Sequence, residues 1–182
     1  MWYNIYGEIK MKVMCISDIH GNIECLKKAI EKYREEDCEK LIILGDFSSY
    51  YYSSTDFEIA EILNNMAGSI IAVEGNCDNS SIGELFHFTL GYIKRIDING
   101  RKVTLTHGHI YDRYNLPENC GDIFISGHTH VGTIEKVEDR YILNPGSISR
   151  PRGGTNKSYI IIDEKSIYLK SLDGELIRKL DF

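Results

Sequence analysis

Five of the six histidines in this chain of 182 residues fall inside an ordered set of short motifs. In chain order the set reads Asp18-Ile19-His20-Gly21-Asn22, Gly45-Asp46, Gly75-Asn76-Cys77-Asp78, His107-Gly108-His109 and Gly127-His128-Thr129-His130. Imidazole, carboxylate and amide-oxygen donors together suit borderline divalent ions such as Mn, Fe, Co, Ni or Zn. They suit neither an oxygen-only Ca or Mg cage nor a thiolate zinc site. Seven good ligands are too many for one ion and match two ions that share a carboxylate. Paired ions of this kind catalyse in-line displacement at phosphorus by clamping the attacking and leaving oxygens. The expected chemistry is metal-dependent phosphoester hydrolysis.

The elements between the motifs must bring them together. Residues 12–17 form a short apolar run that reads as a buried strand, and Asn22 is placed to cap the helix after it. Ile23, Leu26, Ala29, Ile30 and Tyr33 recur there at helical spacing. Residues 41–44 predict a second buried strand, 56–66 a second helix and 69–73 a third strand. Strand, helix, strand, helix, strand implies parallel pairing with right-handed crossovers. After residue 91 the pattern changes. Asn99-Gly100 between two strand-like runs is a hairpin signal, and further runs at 122–126, 133–137, 141–143, 159–162 and 167–172 read as mostly antiparallel strands. Two facing sheets with helices outside are the expected packing. Each motif follows a predicted strand, so several strand ends deliver ligands to one crevice.

Composition sets the bounds. A single domain is expected at this length. No apolar run is long enough to span a bilayer, and no secretory signal pattern opens the chain. Residues 1–10 read either as an extension before a start at Met11 or as an edge strand. A net charge of −6 without a dense basic block argues against a stable grip on long nucleic acid. The five cysteines are widely spaced with no Cys-x-x-Cys pair, which fits reduced thiols in the cytoplasm, with Cys15 and Cys25 in the core.

The motif set resembles the calcineurin-like metallophosphoesterase superfamily, and within it the small YfcE-like bacterial and archaeal phosphodiesterases. Leu105-Thr106, Leu143-Asn144-Pro145-Gly146-Ser147 and Pro151-Arg152-Gly153-Gly154 extend the likeness from about Met11 to the C-terminus. The resemblance implies an α/β fold, a four-layer α/β/β/α sandwich of two mixed sheets flanked by helices. It implies that Asp18, His20 and His130 hold one ion and Asn76, His107 and His128 a second, with Asp46 bridging them. Residues i and i+2 of an extended loop would aim at one point. Manganese is the first expectation, with Ni, Fe, Co or Zn as alternatives, and the substrate implied is a small phosphodiester attacked by a hydroxide bridging the ions. A homodimer or homotetramer is also implied.

Four residues are expected beside the reacting bonds: Asn76, Cys77, Asp78 and His109. Many superfamily members carry histidine where this chain has Cys77. A thiol of ordinary pKa near 8.5 is a poorer acid for a leaving oxygen at neutral pH than imidazole, so leaving groups that need little protonation are favoured. Asp78 reads either as an orienting group or as a turn cap. His109 reads as a substrate contact, a proton donor or a structural tether. Tyr50, Tyr51 and Tyr52 read as a cleft wall or a subunit contact. Arg150 and Arg152 read as phosphate contacts or surface charges, His87 as a partly buried histidine, and Glu35, Glu36 and Asp37 as a solvated helix end. Two alternative functions share the fold: a phosphomonoesterase or nucleotidase with the same ligands, and a catalytically silent scaffold resembling the retromer subunit. The complete ligand set argues against the scaffold, and Cys77 against the monoesterase.

Overall fold

The computed structural model describes residues 10–49, 53–78 and 80–182. Residues 1–9 and Tyr50, Tyr51 and Tyr52 lie outside that set, and the readings placed on them are not addressed further.

Strand β1 (Val13–Ile16), helix α1 (Ile23–Glu35), β2 (Lys40–Ile43), α2 (Ser54–Asn64) and β3 (Ile70–Ala72) realise the expected first half. Both ladders are parallel, with Cys15 opposite Ile42 and Ile42 opposite Ile71. The strands are buried on both faces, and alternation divides their side chains between two cores. Met14, Ile16, Leu41, Ile43, Ile70 and Ala72 pack against Leu26 and Ala29 of α1 and Ile59 and Leu63 of α2. Val13, Cys15, Ile42 and Leu44 face the opposite way, into the space between the sheets. Asn22 caps α1 as expected, its Oδ1 accepting the Cys25 amide at 3.0 Å.

A short helix α3 (Ser80–Gly83) precedes β4 (Ile93–Ile98), β5 (Arg101–Thr106), β6 (Ile123–Ile125), β7 (Gly132–Val137) and β8 (Arg140–Pro145). These five strands form a second sheet in the order β4-β5-β6-β8-β7. Asn99 and Gly100 both have positive φ, 53° and 81°, the conformation a two-residue hairpin requires. The sheet is less antiparallel than its sequence suggests, because β6 pairs in parallel with both β5 and β8. Strands β9 (Ser158–Ile162), β10 (Ser166–Ser171) and β11 (Leu176–Asp181) then return to the first sheet, giving the order β11-β10-β9-β1-β2-β3. The result is two mixed sheets flanked by helices. On the outer face of the second sheet Phe124 and Ile142 are covered by Tyr111, Leu116 and Cys120 from the irregular segment 107–122.

Two surface readings change, those of His87 and Glu36. His87 is exposed, its amide bound to Asn64 Oδ1. Arg150 and Arg152 are both exposed, in line with their reading as surface charges. Glu36 is not a solvated helix end: its side chain is only 17% exposed and it pairs with Lys12 and Lys170 and accepts from Tyr159. The helix-end pattern hid this because all three partners are distant in sequence, Lys12 just before β1, Tyr159 on β9 and Lys170 on β10. No helix among the described residues is long and apolar enough to cross a membrane.

Candidate metal centre

The site lies where β1, β2, β3, β5, β6 and β8 end. Backbone bonds knit the first two loops together: the amides of Asp18, His20 and Gly21 donate to the carbonyls of Gly45, Asp46 and Phe47. Asp78 ties the second loop to the third. Its Oδ2 accepts the amides of Asp46 and Gly75, both at 2.8 Å, and its Oδ1 those of Phe47 at 2.8 Å and Ser48 at 3.3 Å. Only glycine fits at two close approaches. A Cβ on Gly75 would overlap Asp46 Oδ1, and one on Gly127 would overlap Ser17 Oγ.

The expectation of extended ligand loops is wrong. Asp18, His20, Asp46, His128 and His130 all have positive φ, between 48° and 66°. In an extended chain residues i and i+2 repeat at roughly 6.6 Å. The left-handed turns draw Asp18 and His20 closer, so that His20 Nε2 lies 3.7 Å from Asp18 Oδ1, whereas in the second pair His128 reaches His107 and His130 reaches Asp18 and His20. Aspartate and histidine tolerate this conformation better than bulkier residues.

The ligand atoms fall into two groups. In the first, His130 Nε2 lies 3.1 Å from Asp18 Oδ1 and 3.1 Å from His20 Nε2, and His20 Nε2 lies 3.6 Å from Asp46 Oδ2. One ligand atom from each of Asp18, His20, Asp46 and His130 falls within 4.8 Å of the others, and all four residues are buried. In the second, His107 Nε2 lies 3.4 Å from Asp46 Oδ1, 3.1 Å from Asn76 Oδ1 and 3.3 Å from His128 Nδ1. The two oxygens of Asp46 thus face one group each.

The ring tautomers are set from behind. His107 Nδ1 donates to the Leu44 carbonyl at 2.6 Å and His130 Nδ1 to the Arg150 carbonyl at 2.7 Å, which turns each Nε2 inward. Burial would lower the pKa of His107, but the Asp46 and Asp18 carboxylates outweigh it, and the Asp18 hydrogen bond likewise raises that of His130, so without ions these two rings hold a proton more readily than free imidazole. Burial lowers the pKa of His20 and of His128, where the charge of His107 adds to it, so both rings favour the neutral, ligating form. Burial alone would raise the Asp46 carboxyl, but the His107 hydrogen bond and charge and the Cys77 amide hold it well below the usual range. With all four rings in the neutral, ligating form, acceptors converge on acceptors and repel one another. Asp18 Oδ1 is buried without a hydrogen bond. A divalent cation in each group removes that conflict, so the residues present fit a dinuclear centre.

Cys77 is buried with its amide on Asp46 Oδ1 at 2.9 Å and its Sγ 3.6 Å from Asn76 Nδ2. Asp78 sits behind the ligand loops, and burial pushes its carboxyl up to about 6, the nearby Asp46 charge adding to the effect and the amides opposing it. His109 is half-buried beside His107, ring centroids 5.4 Å apart, and its Nδ1 is buried without a hydrogen bond. Sequence reasoning assigned no role to Asn144, Ser147 or Ser149. The hydroxyls of Ser147 and Ser149 both donate to the Asp18 carbonyl, at 2.8 and 2.9 Å, and Asn144 Nδ2 donates to the Gly127 carbonyl at 2.7 Å. The Asn-Pro-Gly-Ser segment was the available signal.

Known proteins agree with this geometry. The family model "Calcineurin-like phosphoesterase superfamily domain" matches residues 11–166. "Phosphodiesterase YfcE" of Escherichia coli K12 is 33% identical over 175 residues, covering 92% of this chain and 95% of that protein. The E. coli YfcE structure, described as a phosphoesterase, superposes with a TM-score of 0.84 at 31% identity, covering 93% of this chain and 98% of that one. Wild-type Vps29 of Entamoeba histolytica complexed with zinc shares the fold, with a TM-score of 0.69 at 24% identity over 94% of this chain and 99% of that one. With two mixed sheets, a converged Asp/His cluster and a family match over most of its length, this chain belongs to the calcineurin-like metallophosphoesterase superfamily and is closely related to its YfcE-like phosphodiesterases.

Proposed function

We propose that the protein is a dinuclear-metal phosphodiesterase acting on a small phosphodiester. Asp18, His20, Asp46 and His130 hold one ion, and Asp46, Asn76, His107 and His128 the other. The observation that carries this reading is the division of Asp46, one oxygen facing each cluster. When bound, the two ions supply an acidified water and a positive clamp on the phosphoryl oxygens. The chain's own groups do the rest. Asp78 fixes the loops of Asp46 and Asn76 against each other, and the Leu44 and Arg150 carbonyls keep His107 and His130 in the ligating tautomer. Cys77, at the position where many relatives use histidine, favours leaving groups that need little protonation.

Manganese is the first choice of ion, because the mixed nitrogen and oxygen set matches it and offers no thiolate. The cytoplasm is the proposed compartment: all five cysteines are buried thiols without a disulfide. A homodimer or homotetramer is expected from the resemblance to the subgroup.

The test is hydrolysis of bis(para-nitrophenyl) phosphate by metal-stripped protein titrated with manganese. Activity that rises with metal supports the reading, and alkyl monoesters should be poor substrates. Inactivity with Mn and then with Ni, Co, Fe and Zn would overturn it and turn attention to a protein-binding role.

A further inference from the structure

The rim of the site differs on its two sides. Beside the His20 half it is polar, with the Arg150 guanidinium donating to Ser49 Oγ at 3.3 Å. Beside the Asn76, His107 and His128 half it is aromatic. The His109 ring lies 5.4 Å from His107 and 6.3 Å from His128, and the Tyr92 ring lies 6.4 Å beyond His109, inclined at 61°. This is a continuous series of rings leading out from one ligand cluster, at spacings typical of interacting aromatic pairs. It ends in water: Tyr92 is 59% exposed, and Ile110, next to His109, is 45% exposed. The series is anchored to the ligand loops at both ends. The Gly91 carbonyl accepts the Glu74 amide at 3.2 Å, immediately before Gly75-Asn76, and His109 follows His107 by two residues. An exposed tyrosine held this close to a phosphate-binding centre presents apolar area that the folded chain itself leaves uncovered.

We infer that Tyr92 and His109 form a subsite for an aromatic substituent of the phosphoester, an aryl group or a nucleobase, beside the Asn76/His107/His128 half of the centre. The inference rests on the proposed function and adds the substrate class. Two inclined rings form an angular notch that accepts a flat third ring against one face. A methyl or other small alkyl ester would leave that surface wet.

Calorimetric titration of the manganese-loaded protein with phenylphosphonate and with methylphosphonate tests this. Neither probe can be hydrolysed as an ester, and they share the charged group, so contributions from ions and ligands cancel in the ratio of their dissociation constants. Phenylphosphonate should bind about tenfold more tightly, in line with base–aromatic stacking. Tyr92→Ala should bring that ratio to about one, and Tyr92→Phe should keep it near tenfold, since the ring and not the hydroxyl makes the contact. Exposure of Tyr92 makes both variants compatible with an intact core. A wild-type ratio near one, or one that Tyr92→Ala leaves unchanged, overturns the subsite, as does failure of phenylphosphonate to bind. Diester hydrolysis with no phenyl preference would sink the subsite alone, whereas a Tyr92-dependent preference without hydrolysis would sink the proposed reaction alone.

Discussion

Asp78 receives four backbone amides on two oxygens, from Asp46, Phe47, Ser48 and Gly75. Asp78→Asn would turn an NH2 group toward two of those donors. Hydrogen bonds to a charged group are worth about 1.5–3 kcal/mol each, and the variant should lose roughly 3 kcal/mol in denaturant titration of the metal-free protein. His128→Ala acts differently. It removes one ligand from a half-buried loop and leaves the core untouched. Turnover should fall by at least about 100-fold, beyond the effect of losing an outer-shell partner, with little change in the unfolding midpoint of metal-free protein. Near-normal turnover would refute the ligand assignment. At this scale the residues that converge were legible, because Asp-x-His and Gly-His-x-His name donor atoms directly. Their conformation was not. Left-handed backbone is usually announced by glycine, and here Asp18, His20, Asp46, His128 and His130 carry it themselves. Each such residue costs about 1–2 kcal/mol in backbone strain, which the surrounding hydrogen bonds must offset.

The end of α1 is fastened to the sheet through Glu36. Lys12 Nζ lies 3.1 Å from its Oε2, Lys170 pairs with Oε1, and the Tyr159 hydroxyl donates to Oε1 at 3.2 Å. Burial would raise the Glu36 carboxyl, but hydrogen bonds and charge from Lys170 and Lys12 outweigh it and hold it below the ordinary glutamate value. A depressed carboxyl stabilises the fold above its unfolded pKa, and that contribution disappears as pH falls through the folded value. Glu36→Gln should therefore cost about 2 kcal/mol near neutrality, discounted for partial exposure. The same variant should show a shallower loss of stability below the ordinary glutamate pKa. Equal acid slopes in wild type and variant would dismiss the linkage. Elements were otherwise well foretold where they are apolar. Strands β1 to β3 were visible as short continuous apolar runs, and helices α1 and α2 because each buries a periodic stripe. Strand β11 was missed: Leu176-Ile177-Arg178-Lys179-Leu180-Asp181 is an edge strand with four exposed residues in a row, so no buried face imposed alternation on it.

Across the whole molecule the centre joins parts of the chain that are distant in sequence, and a ligand that binds only the folded state stabilises it by mass action. Manganese at about 100 times its dissociation constant should add roughly 2.7 kcal/mol, or about 5–10 °C in Tm for a chain of this size. A thermal scan of stripped protein with and without manganese measures it, and no shift would count against a preformed centre. The two-sheet plan was legible in the alternation of cores, whereas the return of β9 to the side of β1 was not, since no local pattern encodes which edge a late strand will choose. That return has a consequence in time. β1 sits between β2 and β9, with Cys15 opposite both Ile42 and Ile160. His20 and His130 are 110 residues apart, and Ser147 reaches back 129 residues to Asp18. On the ribosome, β1 to β3 emerge first, and one edge of β1 stays open until residue 162 has left the tunnel. At synthesis rates of about 5–20 residues per second, the apolar Val13–Ile16 edge waits several seconds for its partner. No ion can shorten that wait: the candidate ligands are all made by His130, yet β9 does not exist until residues 158–162 have been added.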